Sequence, residues 1–544
     1  MTNCGSSVAT STRRPRRSRL QRCATPRAGD GAFDVTTGDG LLDDTLAPGT
    51  FDCVLTNPPW ETLQSGADAP ARVRALRPRF VHQGSGKLYT YRLFVERALQ
   101  LLRPGGRLGM VVPASLWFDR DAEPLRRLLL DECDWQWLFG FENRDKVFAI
   151  DSRYRFAVVL ASKGGSTKNV RVAFGRTALA EWAAPAPQHV RYRRDELRLL
   201  SPHSGAFVEA EHRRDLDVLR RMHEAGRPLL GDADQGAFSW RQGDFNMTSH
   251  KAHFVLREHA ERDGARHVGD GTFVLPDGRR LLSLVQGAMV YDLDANAGAH
   301  LDGTGHKTRW RAALPGELRP LYLVDADAWR EAAATRPTAR LVLRALSNAT
   351  NERTAIACLL PDLPCGNSLG VIAPPPDEPR PLRALAASAA VLSSLAFDWS
   401  LRLRLGGTNL NGFVLRDCVV PRLDDAVTDE LARAALRLCS TAPWCAPLLV
   451  QAANEGWRGD AAPAHDPAER RALFTLIDRM VGDAFGLDAD DITWITRGCG
   501  DTDRGERYAK GFWRLDRELP AADRRPARWL STCCQGGPRR DCPV

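Results

Sequence analysis

Residues 51–63 read FDCVLTNPPWETL: a short apolar run, then an asparagine, two prolines and a tryptophan. The run has the length and bounds of a buried strand. The prolines cannot extend it, because each lacks a backbone N–H and has a fixed φ. The strand therefore ends in a stiff turn, with the carbonyls of Asn57 and Pro58 pointing outward and the Asn57 amide oxygen beside them. In open α/β sheets, ligands bind beyond the carboxyl ends of the strands. Convergent acceptors next to an indole suit a flat base with an exocyclic amine. The acceptors take the two amine hydrogens, the ring stacks, and the nitrogen lone pair is freed to attack a methyl sulfonium in line.

Outward from this turn, residues 33–163 alternate short apolar runs with amphipathic stretches. LYTYRLFVERALQLL (88–102) has helical spacing at Leu93, Phe94, Ala98, Leu101 and Leu102, and Pro104–Gly106 closes it. RLGMVVP (107–113) reads as the next strand, 121–131 as a helix, and RYRFAVVLAS (153–162) as a further strand. That alternation predicts an α/β domain with a largely parallel sheet. Asn57 is expected at the end of a central strand and Asp39 at the end of its neighbour.

Residues 166–425 are richer in turns. DGTFVLPDGRRLL (270–282) and LLSLVQGAMVYDLD (281–294) read as hairpin material, and 382–405 as a helix ending at Gly406. Beyond 425 the chain is mostly helical. In DPAERRALFTLIDRMVGDAFG (466–486), Asp466 is placed to cap, Pro467 to start and Gly486 to stop a helix. Its stripe of Leu473, Phe474, Ile477, Met480, Val481 and Phe485 reads as core.

Composition excludes little. Of 544 residues, 75 are basic and 67 acidic, for a net charge of +8. That permits nucleic-acid binding without requiring it. Seven arginines fall in the first thirty residues, which read as a disordered basic tail. The 13 cysteines lack paired CxxC spacing, so no zinc or other metal site is expected and a reducing cytoplasm fits best. No apolar run approaches the roughly 18 residues of a membrane span, so no membrane partner is expected.

Asn57, Pro58, Pro59 and Trp60 resemble, position by position, the (Asn/Asp)-Pro-Pro-aromatic motif of the adenine-N6 DNA methyltransferases. The resemblance extends through GDFNMTSHKAHF (243–254), SNATNERTAIACLLP (347–361) and SSLAFDWSLRLRLGGTNLNGFVLRDCVVPRL (393–423). It covers most of residues 31–510 and points to the large single-chain methylases of restriction-modification and phage-exclusion systems, type IIG-like. By resemblance, Asn57 and the Pro58 carbonyl bind the target amine of a base flipped from duplex DNA, and Trp60 stacks on it. Asp39, with Gly40 beside it, accepts from the adenine amine of S-adenosylmethionine; on its residues alone Asp39 reads as a turn aspartate. Phe156 supplies a second face for the base, and fits a core phenylalanine equally well. Arg402, Arg404, Asn409 and Asn411 have the chemistry for phosphates and base edges, and fit a solvated helix end equally well.

The resemblance implies a Rossmann-like methyltransferase domain over 31–165, α/β in class with a partial sheet, then an α+β target-recognition region over 166–425. A helical segment follows over 426–544, with the basic tail at 1–30. The family's Gly-rich cofactor loop (Phe-x-Gly-x-Gly) has no counterpart in residues 1–38. The expectation is therefore an apparently N-terminally truncated methylase, partnered by a nuclease or an N-terminal methylase fragment. Two rivals remain open: a catalytically inactive DNA-binding chain, and a protein glutamine-N5 methyltransferase, against which some 250 residues of recognition-like sequence argue.

Overall fold

The computed structural model describes residues 37–63, 69–231, 238–333, 339–457, 459, 461–500 and 510–533. The basic stretch 1–30 lies outside them. The chain divides into two compact units, 1–215 and 216–544.

The first unit is built on a six-stranded mixed sheet. β1 (Phe51–Thr56) is followed by helices α1 (Ala69–Leu76) and α2 (Thr90–Leu101), then by β2 (Leu102–Pro113). β1 and β2 pair in parallel, with Cys53 opposite Arg107 and Thr56 opposite Met110. The register jumps at Asp52, where residues 103–106 bulge out. Gly105 makes that bulge possible with φ +77°, a conformation that costs other residues more. Helices α3 (Ser115–Phe118) and α4 (Glu123–Asp131) lead to β3 (Cys133–Glu142) and β4 (Arg155–Lys163). β5 (Asn169–Arg176) and β6 (Val190–Arg193) carry the sheet on past residue 165, giving the order β1-β2-β4-β3-β5-β6.

The sheet departs from the largely parallel expectation at β4. This strand lies between β2 and β3 and is antiparallel to both. The connection between β3 and β4 carries no crossover helix, so the chain can only fold back beside the strand it has just left. β3, CDWQWLFGFE, is a strand that the apolar pattern did not single out; Trp135, Trp137, Leu138, Phe139 and Phe141 on it are all buried.

The other departure is at β1, expected to be central. Among the described residues it is the sheet's edge, and Leu55 on it is 76% exposed.

Helix α2 is buried almost all round, including its charged residues. Each is satisfied. Arg92 binds Asp119 and the Tyr91 hydroxyl; Glu96 accepts from the amides of Val81 (2.9 Å) and His82 (3.1 Å) and from Gln83 (2.7 Å).

The second unit contains a five-stranded and a four-stranded sheet, both antiparallel, packed with helices. Thr272–Val274 and Arg280–Ser283 form the expected hairpin around Asp277–Gly278. The 281–294 stretch does not: after Ser283 it leaves the sheet for a 3-10 turn at Gly287–Met289. The helix expected over 382–405 is two, Pro381–Ser393 and Leu395–Arg402, bent by 64°. Ser394 breaks the run and caps the second helix, its hydroxyl accepting from the Phe397 amide at 3.2 Å. Pro467–Ala484 is helical as expected, with Asp466 accepting from the Glu469 amide at 2.8 Å. Ile477, Val481 and Phe485 of its stripe are buried, while Leu473, Phe474 and Met480 are half-buried.

Candidate active site

Asn57 directly follows β1, at its carboxyl end. Its side chain is exposed, Pro58 is buried, and Pro59 and Trp60 are half-buried. The downstream half of the turn is tightly held. Thr90 Oγ1 donates to the Pro59 carbonyl at 2.5 Å and accepts from the Glu61 amide at 3.2 Å. The Thr90 amide donates to the Glu61 carbonyl at 2.9 Å, and the Leu63 amide to Leu88 at 3.0 Å. In contrast, neither the Asn57 side chain nor the Pro58 carbonyl has a hydrogen-bond partner among the described residues. These two acceptors are unpaired, whereas the Pro59 carbonyl and the backbone groups of Glu61 and Leu63 are engaged.

Beside them lies an aromatic wall. The Trp60 ring sits 5.5 Å from Phe148 at 72° and 6.1 Å from Phe156 at 32°. Phe156 is only 2% exposed and stacks at 5.1 Å on Phe141, so it backs the wall as a core residue. It has no open face for a base. Phe148, half-buried and edge-on to both Trp60 and Phe156, is the ring nearer the opening. Sequence reading missed it. It also missed Asn143, buried at 0% exposure, which organises the Phe148 loop. The Asn143 side chain donates to the carbonyls of Phe148 (3.0 Å) and Ile150 (3.3 Å) and accepts from the Phe148 amide (3.0 Å). An asparagine shortly before a phenylalanine loop is a weak signal, but it was present. Trp60 Nε1 is buried without a hydrogen-bond partner.

Among the described residues, which begin at Thr37, no strand precedes Asp39. Asp39 opens a turn: its carbonyl accepts from the amides of Leu42 (2.9 Å) and Asp43 (2.8 Å). Its carboxylate accepts from the Leu41 amide at 3.1 Å and pairs with Arg72 at 2.9 Å. Gly40 is buried, and its carbonyl receives Arg97 Nε at 3.3 Å. The turn is seated by Leu41, which packs on Leu76, Phe80 and Leu93.

The four residues expected to meet DNA separate into two pairs. Arg402 and Arg404 are buried, at 0% and 8% exposure. Arg402 bonds Asp398 at 2.6 Å and the carbonyls of Glu352 (2.6 Å) and Gly511 (2.9 Å), with the Phe512 ring 4.4 Å from its guanidinium. It closes an alternating chain of buried charges, Asp478–Arg525–Asp292–Arg353–Asp398–Arg402, with contacts of 2.6 to 3.9 Å. Burial by itself would raise the Asp398 carboxyl. Arg402 and Arg353 beside it, with the Ala355 amide, outweigh that and hold it below the usual carboxylate range. Arg404 lies 2.6 Å from His223. Neither arginine can present its charge to a phosphate. Asn409 and Asn411 are exposed, and Asn411 spends its side-chain oxygen capping the helix Gly412–Arg416.

Residues 24–148 match the family model of the Eco57I restriction-modification methylases. Among solved structures, the chain is similar to the type IIL restriction-modification enzyme MmeI in complex with DNA. The identity is 13%, covering 84% of this chain and 57% of that one, with a TM-score of 0.45. For the type IIG restriction endonuclease BpuSI the values are 12%, 83%, 56% and 0.31, and for a DrdV–DNA complex 11%, 71%, 43% and 0.36. The chain thus spans little more than half the length of the first two.

Proposed function

We propose that this chain, whose residues 24–148 match the Eco57I restriction-modification methylases, methylates the N6 amine of an adenine flipped out of duplex DNA. The observation that carries this reading is the pair of open acceptors, Asn57 Oδ1 and the Pro58 carbonyl, beside Trp60 and Phe148. An exocyclic amine has two hydrogens to give, and two unpaired acceptors can take both. Holding them draws the nitrogen lone pair out of conjugation with the ring, and the gain grows as positive charge develops on nitrogen. Trp60 and Phe148 bind the flat base by its faces and edges, and exclude water from the amine.

S-adenosylmethionine, when bound, supplies an electrophilic methyl group on a sulfonium. The described residues fit its adenine end: Asp39 is a half-buried carboxylate with Gly40 adding no side chain next to it. The Asn57 and Pro58 acceptors would hold the amine for the bound cofactor, which would give up that methyl group to the amine nitrogen and keep the C–S electron pair on sulfur. The surplus amine proton leaves through the acceptors that hold it, to water. The Arg72 bridge on Asp39 favours a second reading, a DNA-binding chain that does not transfer methyl groups.

The test is incubation of the purified chain with tritiated S-adenosylmethionine and plasmid DNA lacking adenine methylation, followed by nucleoside analysis. Label in N6-methyl-2′-deoxyadenosine is expected, and loss of that label in Asn57→Ala with an unchanged melting temperature. Label in another base, or in a protein rather than DNA, overturns the adenine reading. An unlabelled product leaves the DNA-binding reading in its place.

A further inference from the structure

Two turns carry the chemistry of the proposed reaction, one around Asp39 and one around Asn57, and a single helix grips both. Thr90 opens α2 and Arg97 lies seven residues on. Seven residues are nearly two helical turns, so both side chains leave the same face, about 10.5 Å apart along the axis.

Thr90 is 3% exposed and holds the Asn57 turn on both sides of Trp60. Its hydroxyl has one proton and two carbonyls within reach: Pro59 at 2.5 Å and Glu61 at 3.1 Å. The Pro59 contact is the shorter, and the Glu61 carbonyl also accepts the Thr90 amide, so we assign the proton to Pro59. A hydroxyl lone pair then receives the Glu61 amide. Peptide planes before and after Trp60 are thereby fixed, which sets the indole against Phe148 and leaves the preceding carbonyl, that of Pro58, as the open one.

Arg97, 7% exposed, does the same for the other turn, reaching the carbonyls of Gly40 (3.3 Å) and Asp43 (2.8 Å). Both grips are on backbone atoms. They set where the turns lie, not what their side chains are.

We infer that α2 sets the spacing between the cofactor turn and the base turn, with Thr90 the positioning residue for Asn57–Trp60 and Arg97 the positioning residue for Asp39–Asp43. The inference rests on the methylase reading of those turns. It makes Thr90 a determinant of the chemical step, although it touches neither substrate. Arg97 is by the same logic a determinant of cofactor affinity.

Three variants of the full chain test this: Thr90→Val, which keeps shape and removes the hydroxyl, Thr90→Ser, which restores it, and Arg97→Lys. With plasmid DNA and tritiated S-adenosylmethionine, Thr90→Val is expected to lower kcat about tenfold, the equivalent of one lost hydrogen bond, with both KM values nearly unchanged. Thr90→Ser is expected to recover most of kcat. Arg97→Lys is expected to raise KM for S-adenosylmethionine and leave kcat close to wild type. Hydrogen exchange read by mass spectrometry over 57–63 supplies an arm independent of turnover. Thr90→Val should speed exchange there about tenfold, the same lost hydrogen bond, with the strand peptides unaltered, and Thr90→Ser should not. A wild-type chain with no methyl transfer refutes the functional reading while the exchange arm still judges the clamp. Equal exchange in wild type and Thr90→Val, or lowered melting temperatures with kcat and KM both unmoved, refutes the inference itself.

Discussion

Replacing Arg402 by alanine separates a core arginine from a DNA-contacting one. Its guanidinium is fully buried, bonds Asp398 at 2.6 Å and serves the carbonyls of Glu352 and Gly511. Removal leaves Asp398 buried, with only Arg353 at 3.9 Å as a remaining partner cation. Breaking a buried ion pair on one side costs about 3–5 kcal/mol, because the surviving charge keeps its desolvation penalty. At about 2 °C per kcal/mol for a large unit, the melting temperature should fall by about 6–10 °C. Differential scanning calorimetry measures the shift, and an electrophoretic mobility assay at low salt and low temperature measures duplex affinity on protein that is still folded. The expected result is a large thermal loss with affinity within about twofold of wild type. If the melting temperature holds within a degree or two and duplex affinity collapses, Arg402 contacts phosphate and the buried placement is wrong.

Phe148→Ala should lower methyl transfer by about 5- to 100-fold, the range of one lost base–aromatic stack, with little thermal effect. Phe156→Ala should instead cost about 3–5 kcal/mol of stability, and equal thermal effects of the two changes would contradict their assigned roles. Isothermal titration of S-adenosylmethionine should show affinity weaker than about 1 μM for the chain as given. Arg72→Ala should tighten it about two- to fivefold by freeing Asp39 from a partly exposed ion pair; weaker binding in that variant would mean that Arg72 itself holds the cofactor. The depressed Asp398 carboxyl stabilises the second unit above the unfolded carboxylate value of about 3.9, and that contribution is lost as pH falls through its lower folded value. Near-ultraviolet circular dichroism should therefore hold down to about pH 4, and a transition already complete near pH 6 would assign the acid response to other groups.

The features legible in the sequence were local ones. The strand before Asn57, the helical period of α2 and the Asp466 cap each depend on residues within a few positions of one another, where apolar period, missing N–H groups and capping side chains act directly. Strand direction is another matter. Nothing in RFAVVLASK says that β4 runs against β2, because the direction follows from the absence of a crossover between β3 and β4. Arg402 was misread for a related reason. An arginine near a helix end, followed by glycines, looks solvated, yet Asp398 stands four residues earlier in an otherwise apolar helix. That i,i+4 pair inside an apolar run was the available sign of a buried ion pair.

The site divides along the same line. Residue types told which atoms could accept an amine, namely the Asn57 amide oxygen and the carbonyls of a turn whose prolines carry no N–H. Which carbonyl stays open is a tertiary fact. Pro58 and Pro59 are alike in sequence, and Thr90, thirty-one positions beyond Pro59, takes the second carbonyl and leaves the first. The same holds for the aromatic faces: Phe156 and Phe148 are equally plausible partners of Trp60 until burial shows one behind the wall and the other at its opening. A motif thus names the atoms able to do the chemistry, and the folded chain narrows the choice by pairing some of them, as Thr90 pairs the Pro59 carbonyl. Thr90→Val tests that selection most directly, because it alters no atom of the motif and changes only which of its polar groups are engaged.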